Sequence, residues 1–261
     1  MIARWWRGLR RRRAERTLAR RAIPEPLWAL TLARFPFLGR RSAQDLQQLR
    51  ELATLFLARK EFGAPEGMTV SDEMAVAVAA QACLPILHLG LHWYDGFVGI
   101  FIHPDAVQVR RERVDEIGVV HEVDETLSGE AMEGGPLMLS WRDVAESGES
   151  ADWGYNVVIH EFAHVIDMRD GIADGMPPLP SRAERERWSD VMQAHYDAHC
   201  DDVDAGVETL LDPYGAEAPD EFFAVASEAF FVAPLELRAE HPALYELLAG
   251  FYRQDPALAA G

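Results

Sequence analysis

The sequence predicts an α+β fold in which a small mixed or antiparallel β-sheet lies between a helical N-terminal portion and a helical C-terminal portion. Apolar residues recur at helical spacing before residue 90 and after residue 155. Between them lie short β-branched or alternating runs, which Gly, Pro and acidic turns separate. The chain has 261 residues, enough for one large domain with a buried core.

Residues 1–21 form a basic N-terminal arm. The segment Ile23–Trp28 marks the end of this arm. Residues 1–50 hold 13 arginines and three acidic residues, which gives this segment a net charge of +10. Because the whole chain has a net charge of −18, the other 211 residues have a net charge of −28. A run of like charges is typical of a solvated helical or disordered tail, and Trp5-Trp6 leaves a weak peripheral contact with an anionic membrane surface as the alternative. We expect residues 1–41 to be an arm and linker, and residues 42–261 to be a single domain.

Composition argues against several classes of protein. The acidic body repels phosphate, so we expect no nucleic-acid partner and keep binding through the arginine arm only as a third hypothesis. Two lone cysteines, Cys83 and Cys200, suit a reducing compartment. No stretch reaches 18 uninterrupted apolar residues, and the N-terminus lacks the apolar core of a signal peptide. We therefore expect a cytoplasmic protein without a membrane span.

Two helices are predicted at the start of the body. Ser42 is a candidate N-cap, and leucines follow it at helical spacing, at positions 46, 49, 52 and 55. Ser71-Asp72 opens a second helix with the run "EMAVAVAAQACLPILHL". Because this run is apolar nearly all round, the helix is predicted to be buried.

The middle and the C-terminal part of the chain complete the prediction. Three strands of one small sheet are predicted at Phe97–His103, Val119–Leu127 and Pro136–Trp141. Helical period returns at Asn156–Arg169, and Asp170–Arg182 is a Gly/Pro loop. Further helices are predicted at about Ala183 to Cys200, near Asp220–Phe231 and at Pro242–Tyr252.

The segment "VVIHEFAHVID", residues 157–167, is the candidate for chemistry. His160 and His164 are four residues apart, so on a helix they share one face and can converge on one Zn²⁺. Glu161 neighbours the first histidine, where a carboxylate can act as general base on a water without ligating the metal. A buried helix that happens to carry two histidines is the alternative.

Two other pairs of histidines have the same spacing. His88/His92 has a leucine where the base would stand, and His195/His199 has a tyrosine there. Neither pair offers a general base between its histidines. We predict that these four residues are surface histidines or hydrogen-bonded core histidines.

A catalytic zinc ion takes three protein ligands and leaves the fourth position to water. Glu217, Glu221 and Glu228 are downstream candidates for the third ligand, and Pro219-Asp220-Glu221 is typical of a helix start. Glu221 and Glu228 share one face of an apolar helix, where a carboxylate is costly unless it is paired or ligates a metal. The residues by themselves leave the choice open.

Several segments together resemble the Mlc titration factor A family of zinc peptidases. They are "HEFAHVID", "YGAEAPDEFFAVASEAFF", "LYELLAGFYRQDP", "CLPILHLGLHWYDGF" and "GPLMLSW". The resemblance covers roughly Leu46 to Pro256. A shorter resemblance, in which a Tyr stands seven residues before Glu-Phe-Phe-Ala, links the family to the catalytic domain of anthrax lethal factor. The family implies a single zinc metallopeptidase domain in residues 42–261 and one Zn²⁺ per chain.

The resemblance also assigns roles to residues. It implies that His160 and His164 are the first two zinc ligands and that Glu161 is the general base. The seven-residue step makes Glu221 the third ligand and makes Tyr214 the hydroxyl that assists the tetrahedral intermediate.

Two further acidic residues then take supporting roles. We expect Glu228 to accept the free N–H of a ligand histidine. Asp167, on the same helix face as His164, either does the same or makes a hydrogen bond between the helix and the following loop.

These assignments predict a zinc-dependent peptidase of the gluzincin type, aminopeptidase-like, that acts on peptide substrates. The segment "PLMLSW" is predicted as a sheet edge that binds extended substrate by strand addition. Members of the family also bind a glucose-responsive repressor called Mlc. The alternative is therefore a regulatory binding protein that sequesters such a transcriptional regulator.

Overall fold

The computed structural model describes residues 2–114, 120–127, 129–131, 135–147 and 154–259, with side chains for residues 12–106, 135–147 and 154–258. The helices in these ranges are α1 (Ile2–Arg21), α2 (Glu25–Arg34), α3 (Pro36–Gly39), α4 (Ala43–Leu57), α5 (Asp72–Cys83), α6 (Trp141–Glu146), α7 (Val157–Asp167), α8 (Arg182–Asp204), α9 (Pro219–Val232), α10 (Pro234–Glu240), α11 (Pro242–Tyr252) and α12 (Pro256–Ala259). The strands are β1 (Glu61–Gly63), β2 (Gly99–His103), β3 (Val107–Val114), β4 (Val120–Leu127), β5 (Gly129–Ala131) and β6 (Leu137–Ser140). The predicted α+β class is confirmed.

The arm forms helix α1, which lies against α4. Five apolar side chains of the residues that follow α1 are buried in the same core as the rest of the chain. These are Ile23, Trp28, Phe35, Phe37 and Leu38. The division at residues 41 and 42 stays a prediction, and this packing favours placing residues 23–41 with the body.

The helix starts of the N-terminal half follow their capping residues. The side chain of Ser42 accepts a hydrogen bond from the backbone N–H of Asp45, and that of Ser71 accepts one from Met74. Both predicted starts are confirmed, and α5 is buried as its composition predicted. The helix ends at Cys83, earlier than predicted, because Pro85 has no N–H with which to continue it.

Four strands form a mixed sheet in the order β1-β2-β6-β5. Strand β2 is parallel to β1 and to β6, whereas β5 is antiparallel to β6. In the register of β2 and β6, Ile100 lies beside Leu137 and Ile102 beside Leu139, and all four side chains are buried in the core. A small mixed sheet in the middle of the chain is therefore confirmed.

Two details of the predicted sheet are wrong. β4 pairs with β3 in a separate antiparallel ribbon, so residues 120–127 do not join the sheet of β2 and β6; Val119 lies outside the described residues. β3 immediately precedes β4 in the chain, so closing the loop between these two strands costs less conformational entropy than pairing β4 with a more distant strand. In addition, β6 lies between β2 and β5, so the segment "PLMLSW" is not a free sheet edge.

Among the C-terminal helices, α7 contains the predicted site residues His160, Glu161 and His164. α7 packs against α5, α9 and β5. The rings of Trp188 on α8, Phe223 on α9 and Phe251 on α11 meet edge to face. In the part of the chain that the structure describes, no helix combines the length and the apolarity that crossing a bilayer requires.

Candidate metal centre

Helix α7 carries the first three predicted site residues. It begins after Asn156, whose side-chain oxygen accepts a hydrogen bond from the backbone N–H of Ile159 at 2.9 Å. Its apolar face is fully buried, and Phe162 packs against the rings of Phe56 and Tyr94. This packing holds the opposite face, with the histidines, toward α9.

Three ligand atoms converge between α7 and α9. Nε2 of His160 lies 3.0 Å from Oε2 of Glu221. Nε2 of His164 lies 3.2 Å from the same oxygen and 3.2 Å from Nε2 of His160. Two ligands of a tetrahedral zinc ion lie about 3.3 Å apart, so a triangle of this size fits one ion. Among the described residues, no other group of three or more His, Cys, Asp or Glu residues has ligand atoms this close together.

The hydrogen bond at Nδ1 of His160 suits metal binding. Its Nδ1 lies 2.8 Å from Oε1 of Glu228, and the other oxygen of Glu228 accepts the backbone N–H of Asn156. Burial raises the pKa of Glu228, and the hydrogen bonds from His160 and Asn156 offset part of that rise. With Nδ1–H donated to Glu228, Nε2 presents its lone pair to the centre of the triangle. The predicted supporting contact of Glu228 is thus present.

The charges around the triangle favour a cation. Burial lowers the pKa of His160, but its hydrogen bonds to Glu221 and Glu228 outweigh burial and raise that pKa well above its ordinary value, so without a metal ion Nε2 holds a proton whose place a bound cation would take. Burial raises the pKa of Glu221, but the hydrogen bonds from His160 and His164 lower it below its ordinary value. Two imidazoles and an ionised carboxylate are a donor set that a divalent metal such as Zn²⁺ accepts. The residues present therefore fit the metal ion.

Glu161 lies beside the triangle without belonging to it. Its side chain is buried on α7, between the two histidines in the chain. Burial raises its pKa to about 6, against the opposing influence of His160 and His164. A carboxyl group with such a pKa can both take up and release a proton near neutral pH.

Tyr214 borders the same site from a 3₁₀ turn, Pro213–Ala216. Its hydroxyl lies 3.3 Å from Oε1 of Glu221, and its ring centroid lies 5.9 Å from that of His160. With 40% of its surface exposed, the side chain lies at the boundary between the metal group and solvent. A phenolic O–H in this position can donate to an oxygen atom at the site.

Two residues hold this turn: His199, which was predicted as a surface or hydrogen-bonded core histidine, and Tyr196, which was missed in the sequence. Nε2 of His199 lies 3.1 Å from the carbonyl oxygen of Asp212, and the hydroxyl of Tyr196 donates to the carbonyl oxygen of Ala216 at 3.3 Å. Both side chains project from α8. No local pattern signals such contacts, because their partners lie 13 and 20 residues further along the chain.

The remaining candidates lie outside the triangle. Glu217 is exposed. In the other two histidine pairs, His88 lies 3.5 Å from a carboxylate oxygen of Asp45, and Nδ1 of His195 lies 2.9 Å from the carbonyl oxygen of Val191.

Asp167 makes the hydrogen bond between helix and loop that was one of its two predicted roles. Its Oδ2 accepts the backbone N–H groups of Asp174 and Gly175, at 3.0 and 2.8 Å. Its Oδ1 is buried and has no hydrogen-bond partner among the described residues. Burial raises the pKa of this carboxyl group to about 7.

Comparison with known proteins agrees with this geometry. The family model of the glucose-regulated metallo-peptidase M90 matches residues 6–253. An uncharacterized protein of Synechocystis sp. is 37% identical over 246 residues, which cover 94% of this chain and 89% of that protein. Mlc titration factor A of Salmonella arizonae is 38% identical over 234 residues, 88% of this chain and 92% of that protein. The same factor of Salmonella choleraesuis is 38% identical over 233 residues, 88% of this chain and 86% of its own.

These matches confirm the resemblance found in the sequence, and they span nearly the whole chain. A metallo-peptidase requires a metal site, and the triangle of His160, His164 and Glu221 is the group of described residues that could provide one. The chain belongs to the family of glucose-regulated metallo-peptidases M90.

Proposed function

We propose that this protein is a zinc-dependent peptidase that hydrolyses peptide bonds with Glu161 as general base. The observation that carries the proposal is the convergence of Nε2 of His160, Nε2 of His164 and Oε2 of Glu221 beside the buried carboxyl group of Glu161. Membership of a metallo-peptidase family supports the same reaction class.

The three converging residues would hold the ion. When bound, Zn²⁺ supplies a Lewis acid that polarises the scissile carbonyl and lowers the pKa of a water molecule. Glu228 keeps the proton of His160 on Nδ1, so that Nε2 would be available to hold the ion.

Two side chains handle the protons and the developing charge. Glu161 removes a proton from the attacking water and later delivers it to the leaving amine, and a pKa raised by burial to about 6 suits both transfers. The hydroxyl of Tyr214 donates a hydrogen bond to the carbonyl oxygen as negative charge develops there. Its partial exposure leaves room for a peptide to approach.

We place the extended substrate along β5 rather than β6. β5 is the last strand of the described sheet and lies against α7, whereas β6 is paired on both sides. A peptide that adds to β5 through main-chain hydrogen bonds would run past the helix that carries His160 and Glu161.

Aminopeptidase-like action is the finer part of the proposal. The resemblance to the Mlc titration factor A family supports it, and so does the charge of −28 on residues 51–261, which attracts a free α-amino group. The test compares a peptide with a free N-terminus and the same peptide after acetylation. Equal cleavage of both would contradict exopeptidase action.

The general test of the proposal is the substitution Glu161→Gln. We expect the variant to keep about one zinc ion per chain, because the ligands are unchanged, and to lose hydrolysis, because an amide cannot accept the proton. Full activity in this variant, or purified wild-type protein that neither contains nor takes up zinc, would refute the proposal.

A second candidate function is sequestration of a transcriptional regulator. The observation that favours it is that relatives 38% identical to this chain are named Mlc titration factor A. Titration of the purified wild-type protein and of Glu161→Gln with a purified Mlc-type repressor separates the two functions. Equal binding by both proteins would support sequestration independent of catalysis, and no binding by either would contradict it.

A further inference from the structure

A buried chain of hydrogen bonds connects helix α5 with the candidate metal ligand His160. Its members are Gln81 on α5, Asn156 before α7, Glu228 on α9 and His160 itself. Gln81 and Asn156 have no exposed surface, and Glu228 and His160 are 2% and 9% exposed. Burying so many polar atoms costs free energy unless each of them has a hydrogen-bond partner. We therefore ask what this series of buried hydrogen bonds does for His160.

A backbone carbonyl sets the orientation of the first two amides. Nε2 of Gln81 donates to the carbonyl oxygen of Ala77 at 3.1 Å, which turns Oε1 of Gln81 toward Asn156. Nδ2 of Asn156 donates to that oxygen at 2.7 Å. Oδ1 of Asn156 must then face the other way, where it accepts the N–H of Ile159 and begins α7.

The backbone N–H of Asn156 connects these two amides with the imidazole of His160 through Glu228. This N–H donates to Oε2 of Glu228, so the carboxylate is held from one side and its Oε1 accepts Nδ1–H of His160. Nε2 of His160 is left with a lone pair. A single residue thus sets the start of α7 and holds the carboxylate that α9 contributes to the same histidine.

We infer that Gln81 and Asn156 are positioning residues for His160: they hold Glu228 and the start of α7 so that Nε2 of His160 points at the metal position as a lone-pair donor. The inference rests on the proposed metal site. Gln81 touches neither the ligand triangle nor Glu228 in any hydrogen bond of the described chain, so its effect must pass through Asn156.

The experiment is a double-mutant cycle on zinc affinity. Gln81→Met removes the amide at nearly constant volume, and Asn156→Ser keeps an acceptor for the N–H of Ile159 but removes the donor to Gln81. We measure the Kd for Zn²⁺ of the full chain by competition with a chromophoric chelator, and the visible spectrum of the Co²⁺ form.

We expect each single variant to bind Zn²⁺ about 10-fold more weakly, as is usual when an outer partner of a ligand histidine is disturbed. Because Gln81 acts through Asn156, the double variant should bind no more weakly than Asn156→Ser alone. The Co²⁺ spectrum should change in all three variants, since the orientation of the imidazole changes. If Asn156→Ser does not fold, Asn156→Asp takes its place, because it too keeps the cap and loses the donor.

Ser227→Ala is the matched control. It removes a buried hydroxyl on α9, next to Glu228, that donates to the carbonyl oxygen of Phe223 and lies 2.8 Å from the hydroxyl of Tyr252. We expect it to lower stability in urea while leaving the Kd for Zn²⁺ and the Co²⁺ spectrum unchanged.

Four outcomes would overturn the inference. Wild-type affinity in Gln81→Met, or losses that simply add in the double variant, would overturn it alone and leave the proposed function standing. Equal loss of zinc affinity in the Ser227 control would do the same, because any buried defect would then suffice. A wild-type protein that binds no Zn²⁺ would overturn both.

Discussion

Oε1 of Glu228 lies 2.8 Å from Nδ1 of His160, while Nε2 of the same ring lies 3.0 Å from Oε2 of Glu221. The two carboxylates stand on one helix, seven residues apart, and take the two nitrogens of one imidazole. Glu228 accepts the hydrogen bond from Nδ1–H of the ring, whereas Glu221 lies beside Nε2, where a metal ion fits. Each of these roles makes a prediction.

Glu228→Gln should weaken zinc binding. An amide accepts the proton of His160 less strongly than a carboxylate does, and its NH₂ group cannot also accept the N–H of Asn156. We expect the Kd for Zn²⁺ to rise by about 10-fold to 100-fold. Chelator competition measures it, and an unchanged Kd would contradict the assigned role of Glu228.

Glu221→Ala should abolish zinc binding, because it removes one of the three converging ligand atoms. Metal analysis of the purified protein should fall from about one zinc ion per chain to nearly none. Glu217→Ala is the control, since this exposed glutamate of the same segment lies outside the triangle. Zinc that stays in the Glu221 variant would refute the third ligand.

Tyr214→Phe should slow the reaction without loss of metal. The hydroxyl borders Glu221 at 3.3 Å and is proposed to donate to the developing oxyanion, so kcat should fall about 100-fold while KM and zinc content change little. Steady-state kinetics with a peptide substrate and metal analysis check both parts. A fall in zinc content equal to the fall in kcat would mean that Tyr214 only supports the ligand.

Gly175→Ala should disturb the site through the start of α9. A Cβ on Gly175 would lie 2.4 Å from the carbonyl oxygen of Pro219, two residues before Glu221, and Gly175 has φ +76°. We expect a loss of stability larger than about 3 kcal/mol together with weaker zinc binding.

Gly171→Ala provides the control for that variant. Gly171 lies in the same loop with φ +95°, but a Cβ there would have no heavy atom within 4 Å. We expect only the cost of the left-handed backbone, about 1–2 kcal/mol, and unchanged zinc affinity. Urea unfolding and chelator competition on both variants check the contrast, and equal effects would contradict the contact with Pro219.

Asp167 should make stability depend on pH. Burial raises its pKa from 3.8 to about 7, so the folded chain holds this proton more tightly than the unfolded chain does. Its contribution to the free energy of unfolding is therefore fully present below about pH 4 and is lost as the pH rises through about 7.

Asp167→Asn should remove that dependence. The amide keeps an acceptor for the N–H groups of Asp174 and Gly175 but carries no charge. Urea unfolding of the metal-free protein at about pH 5 and about pH 8 should show a smaller difference than in wild type, by about 1 kcal/mol or more. An equal difference in both proteins would show that Asp167 does not titrate in this range.

Local chemistry made much of the fold predictable. Ser42 and Ser71 cap the helices they were predicted to start, because a cap depends on residues only three positions away. The two rings of His160 and His164 could likewise be placed on one helix face, because the helical repeat relates residues only four positions apart. The strand at residues 120–127 was assigned to the wrong sheet because its neighbour in the chain, β3, was not predicted as a strand.

The sequence by itself indicated the longer helices of the body, their apolar faces and the one histidine pair that has a carboxylate beside it. It left three glutamates open as the third ligand and two roles open for Asp167. The tertiary structure decided which of these residues meet, because it brings Oε2 of Glu221 to the two imidazoles and the loop amides to Asp167. Helix period and capping act within a few residues, whereas these contacts depend on how α7, α9 and the loop between them pack.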